Sequence, residues 1–168
     1  MVILVMTKRK ITTHNQEETM NFAAEIAKDL HGGEVLALSG ELGGGKTTFT
    51  KGLAEALRVE EVITSPTFVL LKVYDAVVRP KSHLQGEIKK IKLVHIDAYR
   101  ADTIEDIKSV GIEDFLDRDD VVMVVEWAEK IKEILPLRQA QGRLNNIINI
   151  NFKFIDEKTR EISYDSNN

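Results

Sequence analysis

Eight residues limit what this chain can fold into more than any other feature. Gly40-Glu41-Leu42-Gly43-Gly44-Gly45-Lys46-Thr47 fit the spacing GxxxxGK[ST]. An apolar run over residues 34–39 precedes them, and a helical pattern over 46–57 follows. That strand–loop–helix order is the context the spacing requires. Glycines such as Gly43, Gly44 and Gly45 admit positive φ and let backbone N–H groups turn into one concavity. A helix opening at Lys46 aims the positive end of its dipole at the same point. The loop is therefore built for phosphate. Lys46 can reach β and γ phosphates, Thr47 can place its hydroxyl on Mg²⁺, and Thr48 can contact an inner phosphate.

The rest of the chain alternates strands and helices around this unit. Asn15 and Glu18 have capping-box spacing, and Phe22, Ile26 and Leu30 then recur every fourth residue. This predicts a helix over 15–31, ended by Gly32-Gly33. Residues 67–74, 91–96 and 121–125 read as strands, and 103–116 as a helical stretch broken at Gly111. Residues 147–155 and 161–164 read as a closing antiparallel pair. The alternation predicts an α/β fold, a P-loop NTPase-like three-layer sandwich with a mostly parallel central sheet. At 168 residues, the expectation is a single ATPase domain over 1–168. Residues 78–90 and 137–144 read as long surface loops.

Composition removes several rival chemistries. The chain has no cysteine, so disulfides, thiolate metal sites and a cysteine nucleophile are excluded. Its longest apolar runs, such as 121–125, fall far short of the roughly 20 residues a membrane helix needs. The N-terminus is apolar first and basic second, the reverse of a secretory signal. These features predict a cytoplasmic protein without a membrane partner. A net charge of −4 argues against broad coating of nucleic acid. Charge is nevertheless uneven: residues 79–100 carry a basic excess and 102–133 an acidic one.

A phosphate loop alone does not separate ATPase, GTPase and kinase. No Asn-Lys-x-Asp run is present, so the usual guanine-reading element is missing and ATP is favoured by elimination. Phosphoryl chemistry also needs a metal-holding acid and a group that orients water. Two apolar runs end in acids, Asp97 and Glu126, and strand ends border the ligand crevice in such sheets. Spacing does not decide which acid holds Mg²⁺, although Glu126 stands where a Walker B acid would. Ser65-Pro66-Thr67-Phe68 reads as a stiff turn, from which Thr67 could approach Mg²⁺ or the γ-phosphate. Trp127, the only tryptophan, reads either as core or as a wall of the crevice. His95 reads as a structural, hydrogen-bonded residue. Arg100 could neutralise charge at the site or pair with Asp102 or Glu105.

The ordered series G-E-L-G-G-G-K-T-T-F, S-P-T-F, H-I-D-A-Y-R, V-G-I-E-D-F-L, V-V-E-W and L-P resembles the TsaE (formerly YjeE) family over about residues 15–136. The resemblance implies an ATPase using ATP and Mg²⁺. It would act with the TsaB–TsaD pair that forms threonylcarbamoyladenosine at position 37 of tRNAs reading ANN codons. Contact with tRNA would then be indirect. The resemblance also implies that Lys46 and Thr47 bind phosphate and Mg²⁺. Asp97 and Glu126 would form the catalytic and metal site, with Thr67 sensing nucleotide and Trp127 beside it. The sequence departs from the family pattern at Glu41, where Asp is common, at Ala98, often Leu, and in the two long loops. The apolar residues 2–6 have no clear counterpart and read as an edge strand or a misassigned start. Two rival readings are a nucleotide-gated binding module with negligible hydrolysis and a small-molecule kinase. The kinase would need a lid, for which Arg138 and Arg143 are the available cations.

Overall fold

The sheet that carries the glycine loop has seven strands, in a computed structural model that describes residues 6–66, 68–79, 88–116, 118–131 and 147–167. The strands are β1 (Met6–Thr13), β2 (Val35–Gly40), β3 (Leu71–Val78), β4 (Lys89–Asp97), β5 (Val121–Glu126), β6 (Ile147–Phe154) and β7 (Arg160–Asn167). Their order across the sheet is β1-β7-β6-β2-β5-β4-β3. The four central strands, β6, β2, β5 and β4, run parallel. The flanking pairs, β3 with β4, β6 with β7 and β1 with β7, are antiparallel. The parallel expectation thus holds for the centre of the sheet, and the closing antiparallel pair is present.

Alternation along the strands divides the core in two. Leu36, Leu38, Leu93, Val122, Val124, Ile150 and Phe152 face helices α1 (Gln16–Ala27) and α2 (Lys46–Ala56). Val35, Ala37, Val94, Ile96, Met123 and Val125 face the opposite side. That second face is covered by α3 (Ile104–Ser109) and short 3₁₀ turns at Ile112–Asp114 and Ala128–Ile131. The result is three layers, with both faces of the central strands buried, as parallel strands require.

Local chemistry explains most boundaries. Asn15 caps α1 by accepting from the Glu18 N–H at 2.8 Å. The Glu18 carboxylate accepts from the His14 N–H rather than from the Asn15 N–H, so the box closes one residue early. α1 ends at Ala27, not at residue 31. Residues 28–30 continue with i→i−3 bonds that tighten the last turn, and Leu30 stays fully buried. α3 has a true capping box between Thr103 and Asp106, and Gly111 at φ 78° ends that stretch as expected.

One strand expectation needs correction. The strand placed at 67–74 begins at Leu71, because the Pro66 carbonyl accepts from both Val69 and Leu70 N–H and holds a turn there. Leu70, at φ 61°, closes that turn. At the N-terminus an edge strand, β1, spans Met6–Thr13, and its polar sequence carries no period-2 signal; residues 2–5 of the apolar run lie outside the described residues. Val78 pairs with Lys89 across β3 and β4, so both ends of the segment read as a loop over 78–90 belong to strands. Thr67, most of the 78–90 loop, the 137–144 loop and both lid arginines lie outside the described residues.

Candidate functional site

β2 ends at Gly40, and the chain turns through the glycine loop into α2. Gly40 sits at φ 132°, and a Cβ there would lie 2.1 Å from the Phe152 carbonyl oxygen of β6. Only glycine lets the loop leave between two paired strands. Gly43 and Gly45 take φ of 73° and 102°. Neither conformation suits an L side chain. Gly45 stands at the N-cap of α2 without a side-chain cap, so the first N–H groups of that helix keep no local side-chain acceptor.

A cavity of about 940 Å³ opens over this loop. Gly43, Gly44, Gly45, Lys46, Thr47 and Thr48 form its floor, and Ser65, Asp97, Tyr99, Glu126 and Trp127 one wall. Asp97 and Glu126 are register partners at the carboxyl ends of adjacent parallel strands. That is why residues 29 positions apart in sequence meet at one crevice. The start of α1 and the β6–β7 turn form the opposite wall, with His14, Asn15, Lys158 and Arg160.

Lys46 is only 5% exposed. Its ammonium donates to the Gly40 and Glu41 carbonyls at 2.6 and 2.7 Å and lies 3.9 Å from the Trp127 ring centroid. No carboxylate stands within ion-pair distance of it among the described residues. Burial lowers its pKa from the ordinary lysine value, while Glu126, Glu129, Asp97 and Glu41 pull it back up from a distance.

The carboxylates are held by specific donors. Thr47 Oγ1 donates to Glu126 Oε2 at 2.7 Å, and His95 Nε2 lies 2.9 Å from Glu126 Oε1. Asp97 accepts from the Ser65 hydroxyl and from the Tyr99 N–H at 3.0 Å. Trp127 takes φ 61°, a rare conformation for a bulky residue, and this turns its ring back over Lys46 and against Tyr99 at 5.0 Å. Trp127 serves both alternatives, since it also packs against the second core.

The structure thus brings together every expected site residue except Thr67, which lies outside the described residues. Arg100 does not line the cavity; its guanidinium lies over the Phe68 ring at 4.5 Å. Several wall residues, Arg160 among them, had no sequence signal. Arg160 reaches back from β7 to donate to the Gly43 carbonyl at 2.9 Å, across 117 positions of chain.

The residues fit a nucleotide phosphate with Mg²⁺. Among the described residues no group of three or more His, Asp or Glu could hold a metal alone. A cation here would need most of its oxygens from phosphate and water, which is how Mg²⁺ is commonly bound. Thr47 and Glu126, hydrogen-bonded to each other at the crevice, are the two side chains whose oxygens could hold it.

A glycine loop between a parallel strand and a helix, with acids at neighbouring strand ends, defines a P-loop-like α/β protein. A family profile described as "Threonylcarbamoyl adenosine biosynthesis protein TsaE" matches residues 13–162. The chain belongs to the TsaE family, which takes part in tRNA threonylcarbamoyladenosine biosynthesis. The match extends past the motif-bearing stretch into β6 and β7. A relative from Bacillus subtilis, "tRNA threonylcarbamoyladenosine biosynthesis protein TsaE", is 36% identical over 159 residues, 95% of this chain and 86% of its own. Its counterpart in Aquifex aeolicus is 36% identical over 126 residues, 74% of this chain and 80% of its own. The crystal structure of Bacillus subtilis YdiB superposes with a TM-score of 0.66 at 28% identity, covering 98% of this chain and 88% of that one.

Proposed function

We propose that this protein is a Mg²⁺-dependent ATPase that supports the TsaB–TsaD pair in forming threonylcarbamoyladenosine at position 37 of tRNAs reading ANN codons. One observation carries the nucleotide part of this reading. Lys46 is a buried cation in a glycine cradle with carbonyls and a ring for partners and, among the described residues, no counter-ion in contact. A polyphosphate supplies the missing charge, and the cavity above has room for a nucleotide. The biosynthetic setting comes from family membership.

In this reading Gly43–Thr48 bind the phosphates, and Lys46 exchanges two backbone carbonyls for phosphate oxygens. Mg²⁺, when bound, adds positive charge to those oxygens. Thr47 and Glu126 hold it. Asp97, fixed by Ser65 and Tyr99 at the crevice wall, orients the attacking water. Trp127 and Tyr99 wall the site and limit water around Lys46. Phosphate release with and without TsaB–TsaD tests the proposal. Lys46→Ala is expected to abolish nucleotide binding, whereas Asp97→Ala and Glu126→Ala remain folded and lose hydrolysis. Full activity in both acid variants refutes the site assignment.

A second reading has its own support. Phe68 is 84% exposed and Val69 54%, beside the turn whose Ser65 touches Asp97. Apolar side chains held in water next to the crevice suit a nucleotide-gated partner module. Partner binding that requires ATP, with no phosphate released under any condition, favours that alternative.

A further inference from the structure

The buried contacts behind Glu126 carry one more step, which rests on reading Glu126 as the acid that faces the cation. Glu126 is almost fully buried, and its two oxygens have different surroundings. Oε2 accepts from Thr47, the first residue after Lys46 on the crevice floor. Oε1 turns into the protein, 2.9 Å from His95 Nε2 and 3.4 Å from Thr50 Oγ1. A carboxylate oxygen only accepts, so the His95 contact is a hydrogen bond with the proton on Nε2.

His95 is fully buried on β4, on the same strand face as Ile91 and Leu93. Its other ring nitrogen, Nδ1, has no partner among the described residues. Among those residues the ring therefore makes one polar contact, and that contact is Glu126. An apolar side chain would fill this place in the core without leaving a nitrogen unsatisfied. The register explains the meeting. Asp97 pairs with Glu126 on the neighbouring strand, and His95 stands two residues back on the same face.

We propose that His95 is a positioning residue for Glu126: its Nε2–H holds Oε1 inward, so that one oxygen, Oε2, faces the crevice beside the Thr47 hydroxyl. Mg²⁺ demands strict octahedral geometry, whereas a swinging carboxylate can offer two oxygens. Groups that fix a ligating carboxylate commonly matter as much as the ligand itself.

The test uses the full chain with ADP and Mn²⁺, with free Mn²⁺ read by electron paramagnetic resonance. ADP affinity without metal and the melting temperature are measured alongside. His95→Leu is expected to weaken Mn²⁺ binding about 10–100-fold. Metal-free ADP affinity should stay within about twofold, since that contact lies elsewhere. His95→Gln places an amide N–H near the Nε2 position and is expected to restore Mn²⁺ affinity. His95→Asn places it near Nδ1 and should behave like His95→Leu. A folded His95→Leu with wild-type Mn²⁺ affinity overturns the proposal, and so do Gln and Asn variants that are equally weak. If His95→Leu fails to fold, the Gln and Asn pair decides. Glu126→Gln separates the two layers of the argument. Wild-type Mn²⁺ affinity in that variant overturns the cation reading and the positioning role together. Weak binding in Glu126→Gln beside normal binding in His95→Leu overturns the positioning role alone.

Discussion

Replacing Gly52 with alanine tests how closely the nucleotide helix must lie against its neighbour. Gly52 is in the middle of α2, and a Cβ built there would lie 2.5 Å from Met20 Cα, 2.6 Å from its carbonyl oxygen and 2.8 Å from its Cβ. These are largely backbone atoms of α1, so no rotamer change relieves them. Restoring ordinary van der Waals spacing moves the two helices apart by about 1 Å, and a gap of that size forfeits about a quarter to a half of the dispersion attraction between facing atoms. Phe22 and Ile26 of α1 and Phe49 and Leu53 of α2 share the core at this junction, with the Phe22 and Phe49 ring centroids 5.9 Å apart. Overpacking of this kind costs about 1–3 kcal/mol, with a backbone clash toward the upper end. Alanine returns about 1 kcal/mol through its better helix propensity. The expected net loss is about 1–2 kcal/mol, or a melting temperature lower by about 2–8 °C. The starts of both helices line the same cavity, so nucleotide affinity is expected to fall as well. Differential scanning calorimetry with and without nucleotide measures both effects. A melting temperature equal to or above that of the wild type refutes the close-approach argument.

Three further outcomes are expected. Burial depresses the Lys46 ammonium in the fold, so the unfolded chain holds that proton more tightly. The stability tied to Lys46 is therefore complete above its ordinary value of 10.5 and is lost as pH falls through its folded value. Lys46→Met is expected to raise the nucleotide-free melting temperature near pH 7, to flatten its rise toward about pH 10, and to abolish stabilisation by nucleotide. Melting curves that superimpose on the wild type at every pH refute this. Arg160→Ala removes the bond to the Gly43 carbonyl, and calorimetric titration should show nucleotide affinity weaker by about two- to tenfold; unchanged affinity removes Arg160 from the site. Thr103→Ala breaks the α3 capping box and is expected to cost about 0.5–2 kcal/mol in denaturant unfolding, while nucleotide affinity stays the same.

The residues themselves determined the phosphate loop, the class of fold and both crevice acids. Each depends on local spacing: glycines where φ must be positive, and acids where an apolar strand runs out. α3 was legible for the same reason, since Thr103, Asp106 and Gly111 act within a few residues of one another. Strand β1 was not, because its polar sequence becomes a strand only by pairing with β7 at the far end of the chain. The start of β3 was displaced because a turn at Pro66 outweighed the β-branched pattern. What only the tertiary structure decided is which distant groups share atoms. Arg160 meets Gly43 through a hairpin return, and His95 meets Glu126 through the register of two parallel strands. Periodicity reports the face of an element, but register and strand order set the partner across it, and those come from the packing of the whole sheet.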